Sequence, residues 1–297
     1  MKILIVCGST GTQGGAVFDA MENLKDWQLI GLSRNIEQPA AKRLTLKGIT
    51  MREGDLEDLE SLIRAFKDAH SVFGVTQPWN QSYTKCDTVA EFKQGRNIID
   101  ACRITGIKHL VLSTAAHLTN EKTGLPHVDI KIEIEEYARK SGVPTTYLKP
   151  AQFMDNVGMK FLPIKKGKIR GFIDGNAKVP YIAAKDIGQF ARISFKHPKE
   201  YIGKEIKLIG DFVSGDELAG ILGRMRGERF VYKAVPRWII WLVSREFYLM
   251  RKAFEELAGS DIIDKIPPEI DSCRQINPDL LSMRAYLKHT GWDSVKI

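Results

Sequence analysis

Apolar and polar positions along this chain follow two periods, and the switch between them recurs from the first residues to about Pro150. A continuous apolar run such as KILIVC (2–7) suits a strand buried on both faces. The spaced apolar residues of GGAVFDAMENL (14–24) suit a helix with one covered face. WQLIGLS (27–33), ITMREGD (49–55), SVFGVTQ (71–77), HLVLST (109–114) and PTTYLKP (144–150) predict further strands. Helices are predicted over AAKRLTLKG (40–48), LEDLESLIRAF (56–66), the stretch from about Thr84 to Thr105, and IKIEIEEYARKSG (130–142), which Gly142 stops. Strands regularly separated by helices imply βαβ units with right-handed crossovers. The expected class is therefore α/β, a doubly wound parallel (Rossmann) sheet of the dinucleotide-binding kind.

After Pro150 the rhythm breaks. AAKDIGQFARISF (183–195) reads as another covering helix, and EIKLIGD (205–211) as a strand returning to the main sheet. SGDELAGILGRM (214–225) opens with Ser214 and Glu217 at capping-box spacing. The division expected is a dinucleotide-binding domain over 1–153, with 178–212 returning to it, and a smaller, mostly helical lobe from 154–177 and 213–297. PRWIIWLVSREFYLMRKAFEEL (236–257) reads as the core of that lobe, with a partner groove or a lid over the cleft as alternatives.

The first strand runs into GSTGTQGG, with glycines at 8, 11, 14 and 15, so the motif is G-x-x-G-x-x-G. Gly8 serves the sharp turn, Gly11 lets backbone approach a pyrophosphate, and Gly14 lets the next helix pack on the strand. Thr10, Thr12 and Gln13 share this loop, and the helix start that follows aims free N–H groups at phosphates. At the end of the second strand, where NAD binders carry an acidic residue, stand Ser33, Arg34 and Asn35. An arginine without an adjacent carboxylate suits a 2′-phosphate, so NADP(H) is the expected cofactor, with Lys42 a second cation; a plain surface role for Arg34 is the alternative. Asp55 and Leu56 follow the third strand, where such folds touch adenine, and Thr76, Gln77 and Pro78 follow the fourth, beside the cofactor path.

Composition narrows the partners. A net charge of +8 suits a phosphate-bearing ligand or nucleic acid, but the cations are spread along the chain apart from KKGKIR (165–170) and GRMRGER (223–229). Without a helix-turn-helix or zinc-finger pattern, a solvated surface is the preferred reading and nucleic acid the least favoured partner. The four cysteines form no C-x-x-C pair or cluster with histidine, so reduced thiols, no metal and a cytoplasmic location are expected, with the nucleus an alternative for a regulator. The opening apolar run is too short for a secretory signal, and no stretch nears the roughly 20 apolar residues of a membrane span, so no membrane partner is expected.

GSTGTQGG, the SRN after strand two, GDLED after strand three, VTQPW after strand four, KQGRNIIDAC beyond it and HVDIKIEIEEYARKSGVPTTYLKP together resemble the NmrA-like family, an atypical branch of the short-chain dehydrogenase/reductase superfamily. The resemblance is strongest through about Asn156. It implies preferential NADP(H) binding and, in regulatory members, redox sensing without turnover. Other relatives reduce quinones or plant phenolics. Against the Y-x-x-x-K pair of the superfamily, this chain has His127 and Lys131. That spacing puts both on one helical face, with Pro126 at a helix start. Lys131 is expected to hold the nicotinamide ribose or act as an acid, against a solvated role amid Glu133, Glu135 and Glu136; His127 is a proton donor or polar surface. Ser113 and Thr114 end strand five as substrate-orienting or merely local hydroxyls, and Phe153 closes over the nicotinamide or packs between lobes.

The leading expectation is an NADP(H)-binding redox sensor acting through a regulatory protein partner, with segments 77–85 and 120–126 able to switch. The second is an NADPH-dependent oxidoreductase that reduces a small carbonyl, quinone or enone.

Overall fold

The computed structural model describes residues 1–79, 85–117, 122–258 and 260–294. Residues 80–84 and 120–121 of the two expected switching segments, and Thr84 of the expected fourth helix, lie outside the described residues. The first half alternates as its apolar periods require: β1 (Lys2–Val6), α1 (Thr12–Met21), β2 (Trp27–Ser33), α2 (Pro39–Leu46), β3 (Thr50–Glu53), α3 (Leu59–Phe66), β4 (Ser71–Val75), α4 (Thr88–Thr105), β5 (His109–Ser113), α5 (Pro126–Ser141) and β6 (Thr145–Pro150). The second half contributes β7 (Gln152–Phe153), β8 (Ile164–Lys165), β9 (Lys168–Gly171), β10 (Lys178–Ile182), α6 (Ala184–Lys196), α7 (Pro198–Tyr201), β11 (Glu205–Leu208), β12 (Asp211–Ser214), α8 (Gly215–Arg226), β13 (Val231–Ala234), α9 (Arg237–Val243), α10 (Arg245–Ala258), α11 (Ile266–Ile276) and α12 (Met283–His289).

Helix ends obey local capping rather than apolar spacing alone. Asp58 accepts from Glu60 N–H and Asp87 from Ala90 N–H, so α3 and α4 begin later than their apolar patterns suggest. Pro126 takes the first turn of α5, and Gly142 ends it in the left-handed region at φ 74°. The capping box of Ser214 and Glu217 is present in full.

Seven parallel strands form the main sheet in the order β11-β6-β5-β4-β1-β2-β3. The order reverses between β1 and β4, and ligands of open α/β sheets bind beyond the strands' carboxyl ends at such a point. Alternate residues of each strand serve opposite faces. Leu4, Val6 and Phe73 meet Val17 and Met21 of α1, Phe190 of α6 and Ile270 of α11, while Ile5, Val72 and Leu112 meet Leu62, Ile98 and Ile134 of α3, α4 and α5.

The second half departs from expectation in two places. Within 178–212, β11 joins β6 on the main sheet as expected, and α6 packs on α1. Lys178–Ile182 does not return to that sheet; β10 pairs with β12 and β7 in a separate three-stranded sheet. Another small sheet, β13-β9-β8, stands beside α8. The two-residue strands β7 and β8 are too short for an apolar period to betray them in sequence. Conversely, Ile266, Ile270 and Cys273 of α11 join the core of the main sheet.

Candidate functional site

A cleft of about 1160 Å³ opens at the carboxyl ends of the main strands and runs to the small lobe. Gly8 ends β1 at φ 61°, in the left-handed region, and its carbonyl accepts from Gly11 N–H at 2.9 Å. A Cβ on Gly14 would stand 2.3 Å from that carbonyl oxygen, so only glycine lets α1 pack on the turn. The start of α1 carries no side-chain cap and no acidic residue in its first turn. Its N–H groups and positive dipole end therefore suit a phosphate. Gly8, Thr10, Gly11, Thr12 and Gln13 line the cleft, and Gly14 lies behind them as the packing glycine.

Arg34, exposed at the end of β2, also lines the cleft, as do Asp55 and Leu56. Among the described residues no carboxylate pairs with Arg34. Lys42 does not join it: its ammonium pairs with Glu37 at 2.9 Å on the surface of α2, away from the lining.

Thr76, Gln77 and Pro78 border the cleft beyond β4, and Lys131 reaches them from α5. The Lys131 ammonium meets Glu91 at 2.6 Å, Thr76 Oγ1 at 2.7 Å and the Thr76 carbonyl at 3.0 Å. Three acceptors thus match its three protons. Lys131 is 5% exposed and Glu91 0%, which rules out the solvated alternative for this lysine. His127 lies one turn before it, its ring 5.3 Å from that of Trp79. Burial, reinforced by the Lys131 charge, pushes the His127 imidazole down to about 4, so it is neutral near pH 7. A neutral imidazole orients a ligand by hydrogen bonding but holds no spare proton to give as imidazolium. The tertiary surroundings of His127 are drier than those of a helix start at the surface.

The two hydroxyls after β5 divide. Ser113 donates to Gln13 Oε1 at 2.6 Å and does not line the cleft, contrary to the expected cofactor contact. It ties β5 to the glycine loop. Thr114 lines the cleft and donates to Glu135 Oε1 at 2.6 Å. Beneath it, Glu135 Oε2 meets Lys149 at 2.9 Å, and Lys149 Nζ is 3.0 Å from His117 Nε2. Burial alone would raise the Glu135 carboxyl, but hydrogen bonds from His117, Lys149 and Thr114 bring it below its ordinary value. This network stiffens the floor of the cleft. Its members read in sequence as a strand lysine and a charged helix face.

Phe153 borders the cleft and also pairs through β7 with Ile182 of β10. The far end of the cleft is aromatic. Trp79 and Phe247 are 5.6 Å apart, Phe161 and Phe247 5.7 Å, and Phe172 stacks on Phe247 at 5.2 Å. These rings come from four separate segments, so no local pattern announced them. Among the described residues no three His, Cys, Asp or Glu side chains gather as a metal-ligand set, and no helix is long and apolar enough to cross a membrane.

A family model described as the NmrA-like family matches residues 1–290. The chain is 25% identical over 301 aligned residues to the NmrA-like family domain-containing oxidoreductase FrzB of Cladobotryum sp, covering 92% of this chain and 90% of that protein. Among solved structures it resembles Citrobacter sp. triphenylmethane reductase complexed with NADP(H), with a TM-score of 0.78, 22% identity, and 97% and 99% of the two chains covered. It also resembles NmrA, a negative transcriptional regulator solved in complex with NADP, with a TM-score of 0.73, 18% identity, and 98% of each chain covered. At these identities the two structures bear on fold, and both share the architecture found here. With the model match spanning nearly the whole sequence, the glycine loop, the strand order and the cleft have one common account: this chain belongs to the NmrA-like family.

Proposed function

We propose that this protein is an NADP(H)-dependent reductase of a planar conjugated acceptor, a quinone or enone, held at the aromatic end of the cleft. The observation that carries the reading is the continuity of that end, walled by Trp79, Phe161, Phe172 and Phe247, with the cleft at the glycine loop. Pockets for single small ligands usually span about 300–1000 Å³, and this cleft exceeds that range, leaving room for an acceptor beside a dinucleotide.

The residues present fit the cofactor. The uncapped start of α1 suits the pyrophosphate, unpaired Arg34 the 2′-phosphate, and Asp55 and Leu56 the adenosine side. Bound NADPH supplies the hydride. The chain's own part is positioning. Lys131 and Glu91 together hold Thr76 and the backbone that borders the cleft, and the rings offer flat apolar faces for stacking. Hydride added to a quinone leaves a delocalised oxyanion, which takes its proton from water without a positioned acid. That chemistry agrees with a neutral His127 and with the filled bonding capacity of Lys131.

The same shortage of a proton donor favours a second reading, a cofactor-sensing regulator acting through a protein partner. NADPH oxidation, followed at the nicotinamide absorbance with quinones, enones and aldehydes, separates the two. The reductase reading expects turnover with quinones or enones and a KM raised about tenfold or more in Phe247→Ala, from loss of ring contact. NADPH binding without turnover on any acceptor would overturn it in favour of the regulator.

A further inference from the structure

The small sheet β13-β9-β8 presents one face that is almost wholly cationic. Lys165 pairs in register with Lys168, Lys168 with Val231, and Arg170 with Lys233, so Lys165, Lys168, Arg170 and Lys233 project to the same side. All four are exposed, whereas Ile169 between them faces inward at 0% exposure. No strand of this sheet contains an acidic residue, and among the described residues none of the four cations has an ion-pair partner. Lys166 in the connecting turn and Arg229 before β13 are exposed cations as well.

From this sheet the chain passes directly into α9. Val235 N–H still bonds to the Gly171 carbonyl at 2.8 Å, and α9 begins two residues later. Lys233 and Trp238, five residues apart, are separated by at most about 18 Å of chain. The helix buries Ile240 and turns Trp238, Trp241 and Leu242 outward at i, i+3, i+4 spacing, with 66%, 63% and 66% of each exposed. Val243 follows at 61%. Arg237, paired with Glu255, opens the helix, and Arg245 follows it.

We infer that α9 and the cationic face of β8, β9 and β13 form a docking surface for an anionic lipid bilayer. Tryptophan and leucine on one side of a short helix lie in the headgroup region of a membrane, and adjoining lysines and arginines draw the surface toward anionic leaflets. Nucleic acid would meet the cations but leave Trp238, Trp241, Leu242 and Val243 in water. A bilayer interface meets both with one chemistry. That no helix among the described residues is long and apolar enough to cross a membrane does not bear on this, because an interfacial helix lies in the plane and needs no such length.

The test is co-sedimentation of the full chain with phosphatidylcholine vesicles, with and without about one-third phosphatidylserine, across a salt series. Binding is expected to the phosphatidylserine vesicles alone and to weaken as salt rises. Each cation near an anionic leaflet is worth about fivefold in partitioning, so K168E/R170E/K233E together should weaken binding by about 100-fold or more. W238A/W241A should weaken it about tenfold or more while keeping the preference for phosphatidylserine. Unchanged circular dichroism of both variants shows that the fold is intact. Absence of sedimentation with phosphatidylserine vesicles at low salt, or sedimentation indifferent to both variants, overturns the inference. Retardation of duplex DNA without vesicle binding overturns it in favour of nucleic acid. Self-association abolished by W238A/W241A, again without vesicle binding, overturns it in favour of a second copy of the chain.

Discussion

Replacing Arg34 by alanine probes the link between one exposed side chain and cofactor choice. Arg34 lines the cleft after β2 with no carboxylate partner among the described residues, and Lys42, the other cation expected there, pairs with Glu37. Two parallel guanidinium–phosphate bonds are charge-assisted, each worth about 1.5–3 kcal/mol when sheltered. Solvent reaches Arg34, so the pair is screened, and a net loss of about 2–3 kcal/mol is the reasonable expectation. That corresponds to NADPH binding about 30–150-fold more weakly. NADH has no 2′-phosphate, so its affinity should change by about twofold or less. Titration calorimetry of wild type and Arg34→Ala with both nucleotides reads the two effects in one format. Lys42→Ala serves as a surface-charge control and should leave NADPH affinity nearly unchanged. Equal weakening toward NADPH and NADH would refute the reasoning, since the lost interaction would then lie elsewhere than the phosphate. So would a large loss in Lys42→Ala with none in Arg34→Ala.

Two further outcomes follow from ionisable groups withdrawn from water. Glu91→Gln removes the charge opposite an almost fully buried Lys131, so equilibrium denaturation should show a loss of about 3 kcal/mol or more; an unchanged midpoint would mean that the ion pair does not hold this region together. His127 and His109 are both pushed down to about 4 by burial, helped by Lys131 and by His70 respectively, while the unfolded chain titrates near 6.5. Their neutral forms therefore contribute stability above about pH 6.5 that is lost as pH falls toward 4, up to about 3 kcal/mol for each. In His127→Asn the slope of stability against pH should flatten in that window, and a slope equal to wild type would argue against a buried neutral imidazole.

Much of the fold was legible in the sequence because its causes are local. Apolar runs and helical spacing depend on nearest neighbours, and β1 to β6 with their intervening helices follow them. The expected sheet class and the glycine turn are both found, and Gly14 has the packing role that its spacing implied. Helix starts were less legible, since a single capping aspartate such as Asp58 or Asp87 outweighs the apolar pattern around it. The two-residue strands β7 and β8 of the small lobe are shorter than any run that reveals a period.

By itself, then, the sequence determined the alternating architecture, the turn at Gly8 and the absence of an acidic residue after β2, because each depends on the conformational limits of a few adjacent residues. Tertiary structure decided the partners. It set Lys131 against Glu91 and Thr76, drew Ser113 back to Gln13 across 100 residues, and left Thr114 to line the cleft. It gathered Trp79, Phe161, Phe172 and Phe247 into one wall and turned the lysines of β8, β9 and β13 to one face. Such choices depend on which elements pack together, and that competition among burial, charge pairing and hydrogen bonding is resolved only when the whole chain has folded.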